Sequence, residues 1–232
     1  KIIFGSKKIP KKIAHHLENI EAKLYVYKNN YSYEFDEKNW CFMMKNVNLK
    51  LPYMKNNTNF KIHNCAIAVA LTLLMRKKIP FKIMDLKRSI KEFDLWGRFQ
   101  KIIDMPPIYV DVCHNNHAAL QLLIEIKNLK RIYKKKIIAI FNVQKNKEYK
   151  KIFSTLNPII DYWKIPIIKD ETLIFNTNCP NSFLNKKNIS YGHTLENILE
   201  LLLSNKTDSI YIIFGSFAIV SATLRFLNYG RK

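Results

Sequence analysis

From Ile108 to Leu227 a short apolar run is followed by a helical stretch, then by another run, several times over. Ile108–Val112, Lys136–Phe141, Ile159–Trp163 and Ile210–Phe214 read as strands, with a further strand near Leu173–Phe175. Between them Asn116–Leu129, Lys147–Leu156, Thr194–Leu203 and Phe217–Leu227 read as helices. In the first of these Ala119, Leu122, Leu123 and Ile126 fall on one stripe, the mark of an amphipathic helix. Strand–helix–strand alternation leaves one main solution, a parallel sheet with helices on both faces.

The first ninety residues read differently. Lys1–Phe4 is a short strand closed by Gly5-Ser6, and Pro10 opens a helix to about Glu21, where proline suits the first turn. Leu24–Tyr27 is a strand. The aromatic runs Tyr31–Phe35 and Trp40–Met44 fit an antiparallel hairpin, and Asn48–Pro52 an extended exit. His63–Met75 reads as a helix apolar nearly all round and therefore buried, and Phe81–Phe93 as a more amphipathic one. Asp94–Pro107, with Gly97 and Pro106-Pro107, breaks the pattern and is the expected hinge between residues 1–93 and 94–232. The chain opens with Lys1 inside a strand, which reads as a piece of a longer protein.

Composition removes several function classes. Of 232 residues, 39 are Lys or Arg and 18 Asp or Glu, a formal charge of +21. That balance suggests nucleic acid, but 33 of the 39 cations are Lys, spread along the chain, beside 32 Ile and 24 Asn. An AT-rich coding bias produces that composition, whereas base readout favours clustered Arg for its planar fork. No nucleic-acid partner is expected. The five glycines frame neither GxxxxGK[ST] nor GxGxxG, so these residues carry no Walker loop and no dinucleotide fingerprint. Cys41, Cys65, Cys113 and Cys179 make no CxxC pair, and the longest apolar run, Cys65–Met75, is far short of a membrane span of ~20 residues. A soluble, cytoplasmic protein is expected, with no membrane contact and no metal site.

In an open parallel sheet, ligands bind beyond the carboxyl ends of the strands. Three segments meet that rule. Asp111-Val112-Cys113-His114-Asn115-Asn116-His117 follows one strand and opens a helix. Asp111 at the tip can hold a ribose hydroxyl or an ammonium group, and His114 can donate to an anion; equally, Asp111 or Asn115 can simply cap the helix. Gly215-Ser216 opens the last helix, where backbone amides form an anion site or the serine is an ordinary cap. Asn142–Lys145 is polar without further definition. Arg98, one of six arginines, lies in the break, where its fork suits a phosphate or an exposed turn. Asn64 stands near the start of the buried helix, either as part of its cap or facing a cleft.

Taken together these segments resemble the folylpolyglutamate synthase/dihydrofolate synthase family, relatives of the Mur ligases. Gly97-Arg98-Phe99-Gln100 is similar to the family's PGRFQ, with Trp96 in place of Pro. Asp111–Ala119 is similar to DVAHNPHAA, with Cys113 for Ala and Asn116 for Pro. Phe214-Gly215-Ser216-Phe217 is similar to the GSF segment, and Asn64-Cys65-Ala66 to an NAA that opens a helix of the central domain.

The resemblance implies an α/β architecture. Residues 94–232 would be a Rossmann-like C-terminal domain with a mostly parallel sheet, and residues 1–93 the tail of a central Mur-ligase-type P-loop ATPase domain. It implies ATP-dependent addition of glutamate to dihydropteroate or tetrahydrofolate through an acyl phosphate, by a monomer using ATP, folate or pteroate and L-glutamate. Magnesium would be the metal, its ligands and the P-loop lying N-terminal to this chain, which would be inactive alone. Asn64, Arg98 and Asp111 would contact ATP; His114 and Ser216 would lie near glutamate and the transferring phosphate. Two positions depart from the pattern: Lys145-Asn146-Lys147 stands where the family has DKD, and Ala218 where His is frequent. The alternatives are a Mur ligase of peptidoglycan synthesis and a ligase remnant without activity.

Overall fold

The computed structural model describes residues 1–232 except Glu21, Asn56, 176–187, 205–207 and 230–232. The backbone divides into two compact units, Lys1–Asp94 and Leu95–Lys232.

In the first unit, β1 (Ile2–Phe4) and β2 (Leu24–Val26) pair in parallel, linked by α1 (Lys11–Asn19). The hairpin expected from the aromatic runs is β3 (Tyr31–Phe35) and β4 (Asn39–Met44), with Tyr33 opposite Phe42. The expected extended exit is instead a third strand, β5 (Val47–Pro52), antiparallel to β4. Alternation decides the packing. Trp40, Phe42 and Met44 share one face of β4 and are buried, and the Trp40 indole donates to the Pro52 carbonyl at 2.9 Å.

Two helices complete this unit. α2 (Asn59–Met75) starts four residues before His63, because Thr58 caps it by accepting from Lys61 N at 3.2 Å. Asn64 therefore lies in the second turn and does not open the helix. Nor is α2 buried all round. Ile62, Ala66, Val69 and Ala70 form the inner face, while Leu71 is 50% exposed. α3 (Ile83–Glu92) buries only Ile90.

The second unit is a six-stranded sheet with order β10-β9-β8-β11-β7-β6. The expected break contains its edge strand β6 (Gln100–Ile103), antiparallel to β7 (Ile108–Asp111). The other strands are parallel: β8 (Lys136–Phe141), β9 (Tyr162–Ile167), β10 (Ile189–Thr194) and β11 (Ser209–Phe214). The run at Ile159–Trp163 thus begins as a turn and is strand only from Tyr162. Leu173–Phe175 is not a strand; Leu173 makes one isolated bridge to Gln144.

Helices α4 (Asn116–Tyr133) and α5 (Tyr149–Leu156) cover one face, and α6 (Leu195–Ser204) and α7 (Phe217–Phe226) the other. Alternation along central β11 feeds both cores. Ile210, Ile212 and Phe214 join Leu122, Ile126 and Phe153, while Tyr211 and Ile213 join Leu199 and Ile219. β7 leads to α4 on one face and its neighbour β11 to α7 on the other. The chain therefore leaves two adjacent strands in opposite directions, and a crevice opens at their carboxyl ends.

Candidate functional site

That crevice is bounded by the segments singled out in the sequence. Phe214, the last residue of β11, is paired with Asp111, the last of β7. Beyond them run Val112–Asn115 on one side and Gly215-Ser216 on the other. No helix among the described residues is long and apolar enough to cross a membrane.

Asn115, not Asp111, caps α4: its side chain accepts from Ala118 N at 2.8 Å. Asp111 is turned the other way. Its Oδ2 accepts from Phe99 N at 2.8 Å and so ties the β7 tip to the turn that carries Arg98. That turn needs the tie. Gly97 and Phe99 have φ of +69° and +42°, the left-handed region that a phenylalanine visits only when surrounding contacts hold it there. Three further contacts complete the latch. Gly97 N donates to Gln100 Oε1 at 2.9 Å, Val112 N donates to Gly97 O at 2.8 Å, and the Phe99 ring stacks on Tyr109 at 5.0 Å. A Cβ at Gly97 would stand 3.0 Å from Val112 Cγ1 and 3.2 Å from Val220 Cγ1. Arg98 is half-buried at the apex and forms no ion pair among the described residues, so its fork is available to an anion.

His114 is half-buried, with Nδ1 2.9 Å from the Val112 carbonyl. A carbonyl only accepts, so Nδ1 carries the proton, and Nε2 of the neutral ring is the acceptor. The ring lies 6.5 Å from that of Phe217. Cys113 is buried beneath this loop. Burial first, then the Asp111 charge, pushes its thiol well above the usual range, with Arg98 opposing. A thiol so held is a packing group, not a nucleophile.

Ser216 is 3% exposed and caps α7; its Oγ accepts from Ile219 N and donates to the Asn142 carbonyl, both at 3.3 Å. The hydroxyl is thus used by the fold, and what the turn offers a ligand is the first backbone amides of α7. Gly215 is required here. Its φ is +122°, and a Cβ would overlap the Asn142 carbonyl and lie 2.9 Å from Phe141 Cδ2. Asn142, read from sequence only as polar, is fully buried and donates from Nδ2 to Pro166 O at 2.9 Å. Its role went unread because a polar residue after a strand normally marks a turn, whereas here it links the ends of β8, β9 and β11.

The structure also opens a cleft of about 510 Å³ that sequence alone did not indicate. Trp96, Gly97, Val112, Phe217, Leu224 and Arg225 contribute to its lining, so it adjoins both the Arg98 turn and the α7 N-terminus. Trp96 and Phe217 are exposed at its rim, and the Tyr229 ring meets Trp96 edge-on at 6.0 Å.

Arg98, Asp111, His114 and Ser216 therefore belong to one unit and border one crevice. Asn64 belongs to the other unit, exposed on the second turn of α2. No group of three or more His, Cys, Asp and Glu side chains able to hold a metal occurs among the described residues. Cys179 lies outside them.

No family model matches the chain. Curated relatives do. Dihydrofolate synthase/folylpolyglutamate synthase of Haemophilus influenzae is 26% identical over 245 residues, 95% of this chain and 54% of the relative. The enzyme of the same name from Buchnera aphidicola of Acyrthosiphon pisum is 32% identical over 202 residues, 84% of this chain and 46% of the relative. Among solved structures, Escherichia coli FolC in complex with DHPP and ADP superposes with a TM-score of 0.83 at 20% identity, over 99% of this chain and 53% of that one. That likeness shows a shared fold. The chain spans about half the length of the curated relatives it matches. Over the stretch that it spans, the curated relatives the chain is similar to are dihydrofolate synthase/folylpolyglutamate synthases.

Proposed function

We propose that this chain is the C-terminal part of an ATP-dependent amide ligase that adds glutamate to dihydropteroate, to tetrahydrofolate, or to both. Residues 1–93 are read as the tail of its ATPase domain and 94–232 as its C-terminal domain. The observation that carries the reading is the latch between Asp111 and the Arg98 turn, at the crevice where β7 and β11 diverge. A guanidinium with no ion pair among the described residues, next in sequence to the turn that a strand-tip carboxylate holds, suits a nucleotide. The cation meets the phosphates, and the carboxylate accepts from a ribose hydroxyl.

The chemistry is what the resemblance to these ligases implies. ATP transfers its terminal phosphoryl group to the substrate carboxylate, giving an acyl phosphate and ADP. The glutamate amine attacks the acyl carbon, loses a proton, and the tetrahedral intermediate expels phosphate as the amide forms. Both steps gather negative charge at one point, so positioning and charge neutralisation are what the protein contributes. Arg98 orients the phosphates. His114, with Nδ1 committed to Val112, presents Nε2 toward the incoming amino acid, and the α7 amides after Ser216 receive an anionic oxygen. Asn64 is assigned as a further nucleotide contact. A divalent ion supplies further charge neutralisation when bound; its ligands are assigned to the part of the longer relatives that this chain does not span.

The test uses the protein expressed from its complete gene, incubated with ATP, magnesium, glutamate and either dihydropteroate or tetrahydrofolate. A product heavier by one glutamyl residue, formed only with ATP, is expected for at least one acceptor. ADP formation without ligated product would leave a remnant, and product from a muramoyl-peptide acceptor instead would move the chain to peptidoglycan synthesis.

A further inference from the structure

His63 immediately precedes Asn64 on α2, and its surroundings are unusually specific. Its Nδ1 lies 3.3 Å from the Tyr33 hydroxyl on β3. Its ring meets that of Tyr27, just after β2, edge-on at 4.9 Å. Its Nε2 faces Gly5, just after β1, where a Cβ would stand 3.3 Å from that nitrogen and 2.6 Å from Ile67 Cδ1. One imidazole thus joins a helix to the carboxyl ends of the parallel pair β1–β2 and to the neighbouring hairpin.

The proton positions follow. Burial of the half-buried ring holds His63 below the ordinary imidazole range, with the Gly5 backbone opposing, so the ring is neutral at pH 7. Burial likewise keeps the Tyr33 hydroxyl protonated. Tyr33 therefore donates to Nδ1, and Nε2 carries the hydrogen toward Gly5. A Cβ at Gly5 would push the end of the Ile67 side chain aside and crowd the ring by a few tenths of an ångström.

We propose that His63 is the positioning residue for Asn64: gripped by Gly5, Tyr27 and Tyr33, it fixes the rotation of α2 and with it the direction of the Asn64 amide. This rests on the reading of Asn64 as a nucleotide contact. The magnitude is adequate. Side chains stand about 6 Å from a helix axis, so a rotation of about 10° moves an amide by about 1 Å, and misplacement of that order costs up to about a hundredfold in rate.

The experiment uses the protein from its complete gene, with KM for ATP and for glutamate measured separately. Asn64→Ala is expected to raise KM for ATP about tenfold. His63→Ala is expected to raise it about threefold to tenfold, the worth of one or two hydrogen bonds, with KM for glutamate unchanged. His63→Asn, which keeps an acceptor for Tyr33, recovers most of that loss, and Tyr33→Phe reproduces part of it. The double variant His63→Ala/Asn64→Ala is no worse than Asn64→Ala alone. If Asn64→Ala raises KM for ATP but His63→Ala does not, or if the two effects multiply, the positioning role is wrong and the nucleotide assignment stands. If Asn64→Ala leaves KM for ATP unchanged, that assignment falls and the positioning role with it. Should His63→Ala fail to fold, His63→Asn and Tyr33→Phe decide: ATP affinity preserved in the first and weakened in the second supports the role, and no change in Tyr33→Phe overturns it.

Discussion

Gly215 and His63 show how single residues constrain this chain. At Gly215 both the backbone angle and the space forbid a side chain, since φ is +122° and a Cβ would overlap the Asn142 carbonyl. Gly215→Ala is therefore expected to cost about 3 kcal/mol or more, because a strained left-handed alanine and a displaced β8 end add together; a denaturant melt of Leu95–Lys232 measures it. At His63 the sign of the pH effect is fixed. The folded imidazole binds its proton less tightly than the unfolded one, so stability is intact above pH 6.5 and declines as pH falls through that value toward the native pKa. The groups facing the ring are Tyr27, Tyr33 and the Gly5 backbone, and none is an acid that would reverse the sign. Melts between pH 7.5 and 5 should show the parent losing more stability than His63→Asn, whose amide does not titrate.

Elements were legible in the sequence where one physical signal dominated. Asp111–Ala119 announced a strand end and a helix start, and the pattern that placed α4, α7 and β11 is the pattern that fills the two cores. Other elements were hidden for identifiable reasons. β10 (Ile-Ser-Tyr-Gly-His-Thr) is polar, half-exposed and carries Gly192, so neither alternation nor apolarity marks it. Leu173–Phe175 has the apolar run of a strand, but Leu173 and Phe175 are buried from a turn. β6 lies among Gly97, Pro106 and Pro107, whose breaker signals outweigh four strand residues, and only pairing with β7 reveals it. At the site, the sequence named Asp111 and Arg98 separately but not the Phe99 amide that joins them. Two substitutions separate the candidate roles. Asn115→Ala removes the α4 cap and should cost about 1 kcal/mol. Asp111→Ala removes the acceptor for Phe99 N and should cost about 1–3 kcal/mol, whereas Asp111→Asn keeps an acceptor and should melt near the parent. Equal losses for the alanine and asparagine variants would mean that the carboxylate charge, not its geometry, holds the turn.

For the molecule as a whole, the two units make different demands. Leu95–Lys232 holds two packed faces on one sheet, and this segment is expected to fold alone with a single cooperative transition. Lys1–Asp94 has a parallel pair of only three residues per strand and is expected to aggregate when expressed by itself, since an uncovered edge invites pairing. Cooperative melting of the shorter segment, or none in the longer, would overturn that division. The charge of +21 belongs to this scale too. Lysines spread along the chain act as self-repulsion, so raising the salt concentration should raise Tm without any bound partner.

The assignment of the crevice is tested most directly by Arg98→Lys in the protein from its complete gene, with kcat/KM and the denaturant midpoint measured together. Lysine keeps the charge and loses the planar fork. A charge-assisted hydrogen bond is worth roughly 1.5–3 kcal/mol, and about 1.4 kcal/mol is one decade of rate. The expected result is a fall of about tenfold to a hundredfold in kcat/KM for ATP, with stability within about 1 kcal/mol of the parent. The contrary result is lost stability with normal activity per folded molecule. That would make Arg98 a structural arginine and remove the nucleotide from the crevice between β7 and β11.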